Sequence, residues 1–256
     1  MEHIHLSTTV SIKVISEDPR TGVFEIEGLY AGYGLTLGNA LRRTLLSSLP
    51  GAAVTQLNIK NVPHEFSTLP GVKEDIVEVG LNFKQIRFRM HTEEPKVLTL
   101  KAKGQRVVTA GDIKADAEVE IMNPTTHLVT LTAKSAELDM EITVERGLGY
   151  SAVEARTTEK LGIGAIAVDA HFSPVIKVNY VIENMRVGDR TDYNKLRLEI
   201  ETDGTISPSA ALHKSANILK DHFEKVGAVA VQEFEISDST AATKKRSRSK
   251  KTNSNE

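Results

Sequence analysis

Apolar and polar positions alternate near the start of the chain. Val10, Ile12 and Val14 form one alternating run, and Phe24 and Ile26 repeat it after a turn signal at Asp18-Pro19. Alternation puts every second side chain on one face, so this stretch predicts a pair of strands. The period then changes. Tyr30-Ala31-Gly32-Tyr33-Gly34 reads as a glycine-spaced loop, and from Thr36 to Leu49 apolar residues recur at helical spacing. At about 100° per residue, Leu37, Leu41, Leu45 and Leu49 make one stripe, with Ala40, Thr44 and Ser48 beside it. Asn39, Arg43, Leu46 and Ser47 fall on the other side. That second face sets a leucine beside an arginine, where a solvated face would carry Lys, Glu and Gln. A helix of this kind is expected to pack on its own domain and on a partner. Thr36 is its expected N-cap and Pro50-Gly51 its expected stop.

From Gly51 to Pro174 the pattern shifts to short strands: Val54-Gln56-Asn58, Val97-Thr99-Lys101, Glu118-Glu120, Leu128-Thr130-Thr132 and Glu137-Asp139-Glu141-Thr143. A short helix is expected between Gly71 and Leu81, with Val72, Ile76 and Val79 on one face. Strand signals return at Val175-Lys177-Asn179-Val181 and Lys195-Arg197-Glu199-Glu201, and Asp203-Gly204 is a turn. A second long helix opens with Ser207 as cap and Pro208 at its first position, where a missing amide costs nothing. Leu212, Ala216, Leu219, Phe223 and Val226 recur at heptad spacing, and Gly227 closes the helix. The expected fold class is α+β. One domain, residues 1–49 and 175–236, holds a sheet and both long helices. A β-rich domain, residues 50–174, is inserted into it. Residues 237–256 are expected to form a disordered basic tail. Periodicity alone leaves open whether the two helices pack only on their own sheet or also on a partner.

Composition narrows the function classes. The chain has 256 residues, of which 40% are hydrophobic and 26% charged, as in an ordinary globular protein. Aromatic residues are 5% and Trp is absent, so platforms for stacking bases are scarce. There is no cysteine, which removes disulfides, thiolate nucleophiles and Cys-based zinc sites. No apolar run is long enough to cross a membrane as a helix, and the N-terminus lacks a signal-peptide pattern. The bacterial cytoplasm is the default location, and a plastid-encoded protein would read the same way. Net charge is −2 but uneven, because Lys244, Lys245, Arg246, Arg248, Lys250 and Lys251 crowd the tail. That tail reads first as a solubilising end and second as a salt-sensitive contact with DNA phosphates.

Reactive constellations are weak. His64-Glu65 could be a proton-transfer pair, but no third ligand stands at a zinc-like spacing. His3-x-His5 has no partners. Gly162-Ile163-Gly164-Ala165-Ile166-Ala167 superficially matches a dinucleotide loop, yet the stretch after it reads as strand where a helix is required. No acidic cluster could hold two magnesium ions for nucleotidyl transfer. The residues predict a chain without catalytic machinery. The rival readings are a nucleotide-binding enzyme using the Gly162 loop and a DNA-tethering protein acting through its tail.

Four blocks in order carry a family resemblance. They are LGNALRRTLLSSLPG from Leu37 to Gly51, HEFSTLPGVKEDI from His64 to Ile76, Leu81-Asn82-Phe83-Lys84, and Arg190 to Leu196 followed by Glu199, Glu201, Thr202, Asp203 and Gly204. Over roughly residues 8 to 235 the chain resembles the alpha subunit of bacterial-type DNA-directed RNA polymerase. The resemblance implies a two-fold homodimer through Leu37, Leu41, Leu45, Leu49, Leu212, Ala216, Leu219, Phe223 and Val226. It implies contact with the beta subunit through Gly38, Asn39, Arg42, Arg43, Leu46 and a loop with His64, Glu65, Gly71, Glu74 and Asp75, with Arg43 foremost. Contact with beta-prime is implied around Asp169, Arg186, Arg190 and Lys195. The subunit would scaffold assembly for transcription and meet sigma factor and promoter DNA only indirectly. No cofactor is expected on this chain, since the family's catalytic Mg2+ belongs to beta-prime. Two departures are expected. The chain stops at Glu256, about where the family's linker to a DNA-binding C-terminal domain would begin. An acidic activator-contact loop is replaced by the short, nearly neutral Thr158-Glu159-Lys160-Leu161-Gly162.

Overall fold

A computed structural model describes residues 9–156 and 164–230 of the chain. The expectations for His3 and His5, for Thr158 to Gly162, for Ile163 and for the basic tail lie outside the described residues. The chain opens with strands β1 (Ser11–Glu17) and β2 (Thr21–Leu29), then helix α1 (Tyr33–Ser47) and strand β3 (Pro50–Ile59). Next come α2 (Ile76–Phe83), β4 (Phe88–Met90), β5 (Lys96–Lys103), β6 (Arg106–Thr109), β7 (Ile113–Lys114), β8 (Val119–Ile121) and β9 (His127–Leu131). β10 (Glu137–Leu148) leads to β11 (Tyr150–Ser151), α3 (Val153–Arg156), β12 (Ala165–Ala167) and β13 (Ala170–His171). The chain then forms β14 (Val175–Val187), β15 (Arg190–Thr202) and the 20-residue α4 (Pro208–Gly227).

Two sheets carry two separate cores, giving an α+β architecture. The first is a four-stranded antiparallel sheet in the order β1-β2-β15-β14. It joins the two ends of the described chain, since Phe24 stands opposite Leu198 and Glu25 opposite Arg197. Phe24, Ile26, Leu29, Leu196, Leu198 and Ile200 turn one face inward, and Leu41, Leu45, Leu49 and Ala211 of the helical layer close over them. Each such aliphatic or aromatic side chain contributes about 1.5–3 kcal/mol by leaving water. The second sheet runs β7-β5-β10-β3-β4-β8, with β12 paired to β3. Its core includes Leu57, Phe83, Leu98, Leu100, Leu128, Ile142 and Val144.

Short-range seams join the two halves. Arg89 on β4 donates through Nε to the Thr205 carbonyl at 3.0 Å and through Nη2 to the Gly204 carbonyl at 3.4 Å. Inside the inserted half, Gly51 on β3 passes so close to Phe172 that a Cβ there would lie 1.9 Å from the Phe172 carbonyl oxygen. No side chain other than hydrogen fits between those backbones.

Several elements differ from their sequence expectation. α1 begins at Tyr33, with Gly32 at φ 86° as its N-cap, and Thr36 lies inside it. Of the glycines that suggested a loop, Gly32 is the N-cap and Gly34 lies in the first turn, where it, like Gly38 one turn on, lets the helix sit close on the sheet. Pro50 and Gly51 open β3 and do not cap the helix, which ends at Ser47. Val72 precedes α2 and bridges to Leu131. β1 is exposed along its whole length. Ile12 and Val14 stand opposite Ile26 and Phe24, but the helices pack on β14, β15 and β2 and leave β1 uncovered. Ser207 caps α4 as expected, its hydroxyl accepting from the Ala210 amide at 3.3 Å.

Candidate protein-interaction surfaces

The outer face of α1 is the first of these surfaces. Asn39, Arg42 and Arg43 are exposed and Leu46 is half-buried. They lie three, four and seven residues apart, on one side of the helix. Neither guanidinium has an ion-pair partner among the described residues. Arg42 is exposed beside Arg43 and does not lean toward the core. Leu35, 60% exposed, extends the same face by one turn, and no periodicity argument singled it out. Gly38 does not belong to this surface. It is buried, and a Cβ on it would meet Tyr180 Cδ2 at 3.0 Å and Leu196 Cδ1 at 3.1 Å. Its job is close approach of helix to sheet.

The opposite stripe of α1 also needs correction. Leu41, Leu45 and Leu49 are buried in the chain's own core, and Leu37 packs against it half-buried. Leu41, Leu45 and Leu49 cannot present an interface, because the sheet already covers them. The heptad seam of α4 divides in the same way. Leu212 and Leu219 pack on the same core, Ala216 is exposed, and Phe223, Val226 and Val229 stand free at 65%, 69% and 71% exposure. The second half of α4 thus has an apolar face that nothing in the described chain covers. Ile12, Val14 and Ile15 on β1 form another exposed apolar strip.

The 64–75 loop splits into exposed and structural residues. His64 and Glu65 are exposed, and the His64 ring hydrogen-bonds the Ser67 hydroxyl at 3.2 Å, not Glu65. Phe66, 78% exposed, is a residue that sequence reasoning passed over. Gly71 sits at φ 79°, half-buried against Ala136. Asp75 is the N-cap of α2, accepting from the Glu78 amide at 2.6 Å. Glu74 is a correction, since it is only 6% exposed. Its carboxylate accepts from the Thr130 amide at 2.7 Å and faces His127 Nε2 at 3.4 Å. Burial pushes the Glu74 carboxyl up, but the Thr130 amide and hydroxyl and the nearby His127 outweigh it, leaving the pKa below the usual value. This side chain holds the loop to β9.

The four residues expected together at a second partner do not form one group. Arg186 and Arg190 flank the turn between β14 and β15. Arg186 Nε donates to the Gly188 carbonyl at 2.7 Å. Arg190 grips Asp192 with two hydrogen bonds, at 3.0 and 2.6 Å. Its guanidinium also stacks 4.9 Å from the Tyr30 ring and 5.5 Å from the Tyr193 ring. The Asp192 and Tyr30 contacts raise the Arg190 pKa, and Arg190 lowers that of Asp192. Lys195 reaches Glu183 at 3.3 Å and Glu25 at 3.9 Å. Asp169 is elsewhere, accepting from Lys84 Nζ at 3.1 Å and from the Val153 amide at 3.0 Å. The Val153 amide, then the Lys84 ammonium, hold its carboxyl below the usual range. It borders an open cleft of about 340 Å³ that Glu65, Phe66, Val77 and Leu81 also line.

The alternative chemistries find little support. Ala165–Ala167 of the glycine-rich stretch is strand β12, antiparallel to β3. The phosphate-binding turn of a dinucleotide fold needs a helix there. Among the described residues no three His, Asp or Glu side chains gather where they could hold a metal ion.

Comparison with known proteins adds a second line of argument. Residues 57–173 match the family described as RNA polymerase Rpb3/RpoA insert domain. A protein of Symbiobacterium thermophilum called DNA-directed RNA polymerase subunit alpha is 54% identical over 211 residues, covering 82% of this chain and 67% of the relative. Proteins of the same name from Alkaliphilus oremlandii and a Roseiflexus species are each 50% identical, over 213 and 215 residues. These alignments take in 83% and 84% of this chain, and 67% and 66% of the relatives. The chain spans about two thirds of the length of these relatives.

Proposed function

Because the chain belongs to the alpha-subunit family of DNA-directed RNA polymerase, we propose that it is a homodimeric scaffold on which the two large polymerase subunits assemble. It contributes no catalytic group itself and works in the bacterial cytoplasm or a plastid. Residues 50–174 are an inserted domain, and residues 1–49 with 175–236 are the dimerising one.

The reading is supported by how the two long helices divide. Each buries one part in its own core and leaves another without a partner among the described residues. In α4 the free part is apolar, with Phe223 and Val226 exposed and Val229 exposed just beyond the helix. A second copy of the chain suits it, since two-fold pairing brings the same patch from both sides. In α1 the free part carries Asn39, Arg42 and Arg43. Planar, always-charged guanidinium groups suit a carboxylate- or carbonyl-bearing partner, and we assign this face, with His64, Glu65 and Phe66, to the beta subunit. The β14–β15 turn, with Arg186 and the Arg190–Asp192 pair, and Lys195 are assigned to beta-prime. Interfaces of this permanent kind bury on the order of 2,000 Å² or more.

Native mass spectrometry of the chain co-expressed with its cognate beta subunit tests the reading. Wild type should give two copies of this chain with one beta. Arg43→Ala should give a bare dimer. A wild-type monomer with no beta bound would overturn the scaffold role, and loss of the dimer in Arg43→Ala would make Arg43 a structural residue.

A further inference from the structure

The first turn of α1 lacks a cap of its own. Gly32 occupies the N-cap position and offers no side-chain acceptor, although the opening amides of a helix need partners from outside it. The acceptor comes from the other end of the fold. Asn194 on β15 is buried, at 8% exposure. Its Oδ1 accepts from the Gly32 amide at 2.9 Å and from the Gly34 amide at 3.4 Å. Its Nδ2 donates to Asn184 Oδ1 on β14 at 3.3 Å. The pairing of β15 with β2 slips between Asn194 and Leu196, and such bulges re-aim a side chain. Gly34 is pressed onto this residue, since a Cβ there would lie 3.0 Å from the Asn194 Cβ. Next to Asn194, Tyr193 meets Tyr30 edge-on at 5.9 Å, with Arg190 over both rings.

Resting on the reading that the outer face of α1 takes the beta subunit, we propose that Asn194 is a positioning residue for that contact. It caps α1 from β15 and so fixes the direction in which Asn39, Arg42 and Arg43 are presented. It touches no partner itself. The Tyr30–Tyr193–Arg190 stack holds the segment leading into the helix, so the cap and the helix entry form one unit.

The full-length chain tests this with two variants and two readouts. Asn194→Ala removes the acceptor. It should speed hydrogen exchange of the amides at 32–36 by about five- to tenfold, the scale of a lost N-cap. Capture of purified beta subunit should weaken by a similar factor, while the dimer and exchange in the seven-stranded sheet stay unchanged. Asn194→Asp keeps the acceptor and puts negative charge where a helix N-terminus favours it. It loses the donor to Asn184, whose amide must turn to present its own Nδ2, and with that turn it should restore both readouts. Wild-type exchange and capture in Asn194→Ala would overturn the proposal. So would a capture defect that Asn194→Asp does not rescue, or faster exchange spread through both sheets. If wild-type chain fails to capture beta, the positioning role falls with the scaffold reading. The exchange comparison at 32–36 still shows whether the cap exists, which separates the two failures.

Discussion

Gly38 shows how much one missing methyl can decide. Alanine there would gain about 1 kcal/mol in helix propensity. The new Cβ, however, would press on Tyr180 and Leu196 at about the closest distance real contacts reach, and overpacking typically costs about 1–3 kcal/mol. Gly38→Ala is therefore expected to lose about 1 kcal/mol net in denaturant unfolding. A stabilised variant would mean the helix has slack over the sheet. Arg43→Ala should behave in the opposite way, with unchanged unfolding and lost beta capture, because its side chain is exposed and packs in no core. Sequence alone could not separate these neighbours. Gly38 and Arg43 belong to one family block, yet Gly38 serves the core and Arg43 faces solvent. Only the position of Tyr180 and Leu196, more than 140 residues further on, tells them apart.

Among the elements, α4 was legible and the start of α1 was not, for a physical reason. Ser207 and Pro208 are a local signal, read within one turn. The α1 cap is Asn194, remote in sequence, so no window of neighbouring residues could reveal it. The loop before α2 mixes both situations. Asp75 is a local cap, whereas Glu74 is tied to β9. That tie gives a pH expectation. Glu74 titrates below its unfolded value of about 4.3, so its contribution to stability is present above that value. It is lost as pH falls through the lower folded pKa. Wild type should therefore be more stable than Glu74→Gln at neutral pH, and the gap should shrink below about pH 4 in acid melts. A gap that does not change with pH would mean the carboxylate's charge contributes nothing there.

For the whole molecule, the pairing of β2 with β15 that completes the first sheet is a structural observation, whereas the α+β class could be read from strand and helix periods. The halving of each helix between core and free surface could not, because periodicity marks apolar positions without saying which body covers them. Leu45 and Phe223 are both apolar residues on predicted seams, yet one is wholly buried and the other 65% exposed. Phe223→Asp with Val226→Asp should therefore leave the fold of each protomer intact by circular dichroism and shift the mass from dimer to monomer. A dimer surviving both charges would move the interface away from α4.

The pairing of β2 with β15 also sets an order of events in time. During synthesis at about 5–20 residues per second, the sheet's two partners emerge roughly ten to thirty seconds apart. The seven-stranded sheet lies between them in the chain and can close first. Newly made β1 and β2 must then wait with Phe24 and Ile26 unshielded until β15 arrives. A nascent chain stalled before residue 190 should thus hold a folded central unit and a sticky leading hairpin that invites chaperones. On the proposed scaffold reading, pairing of two copies can begin only after translation has passed α4.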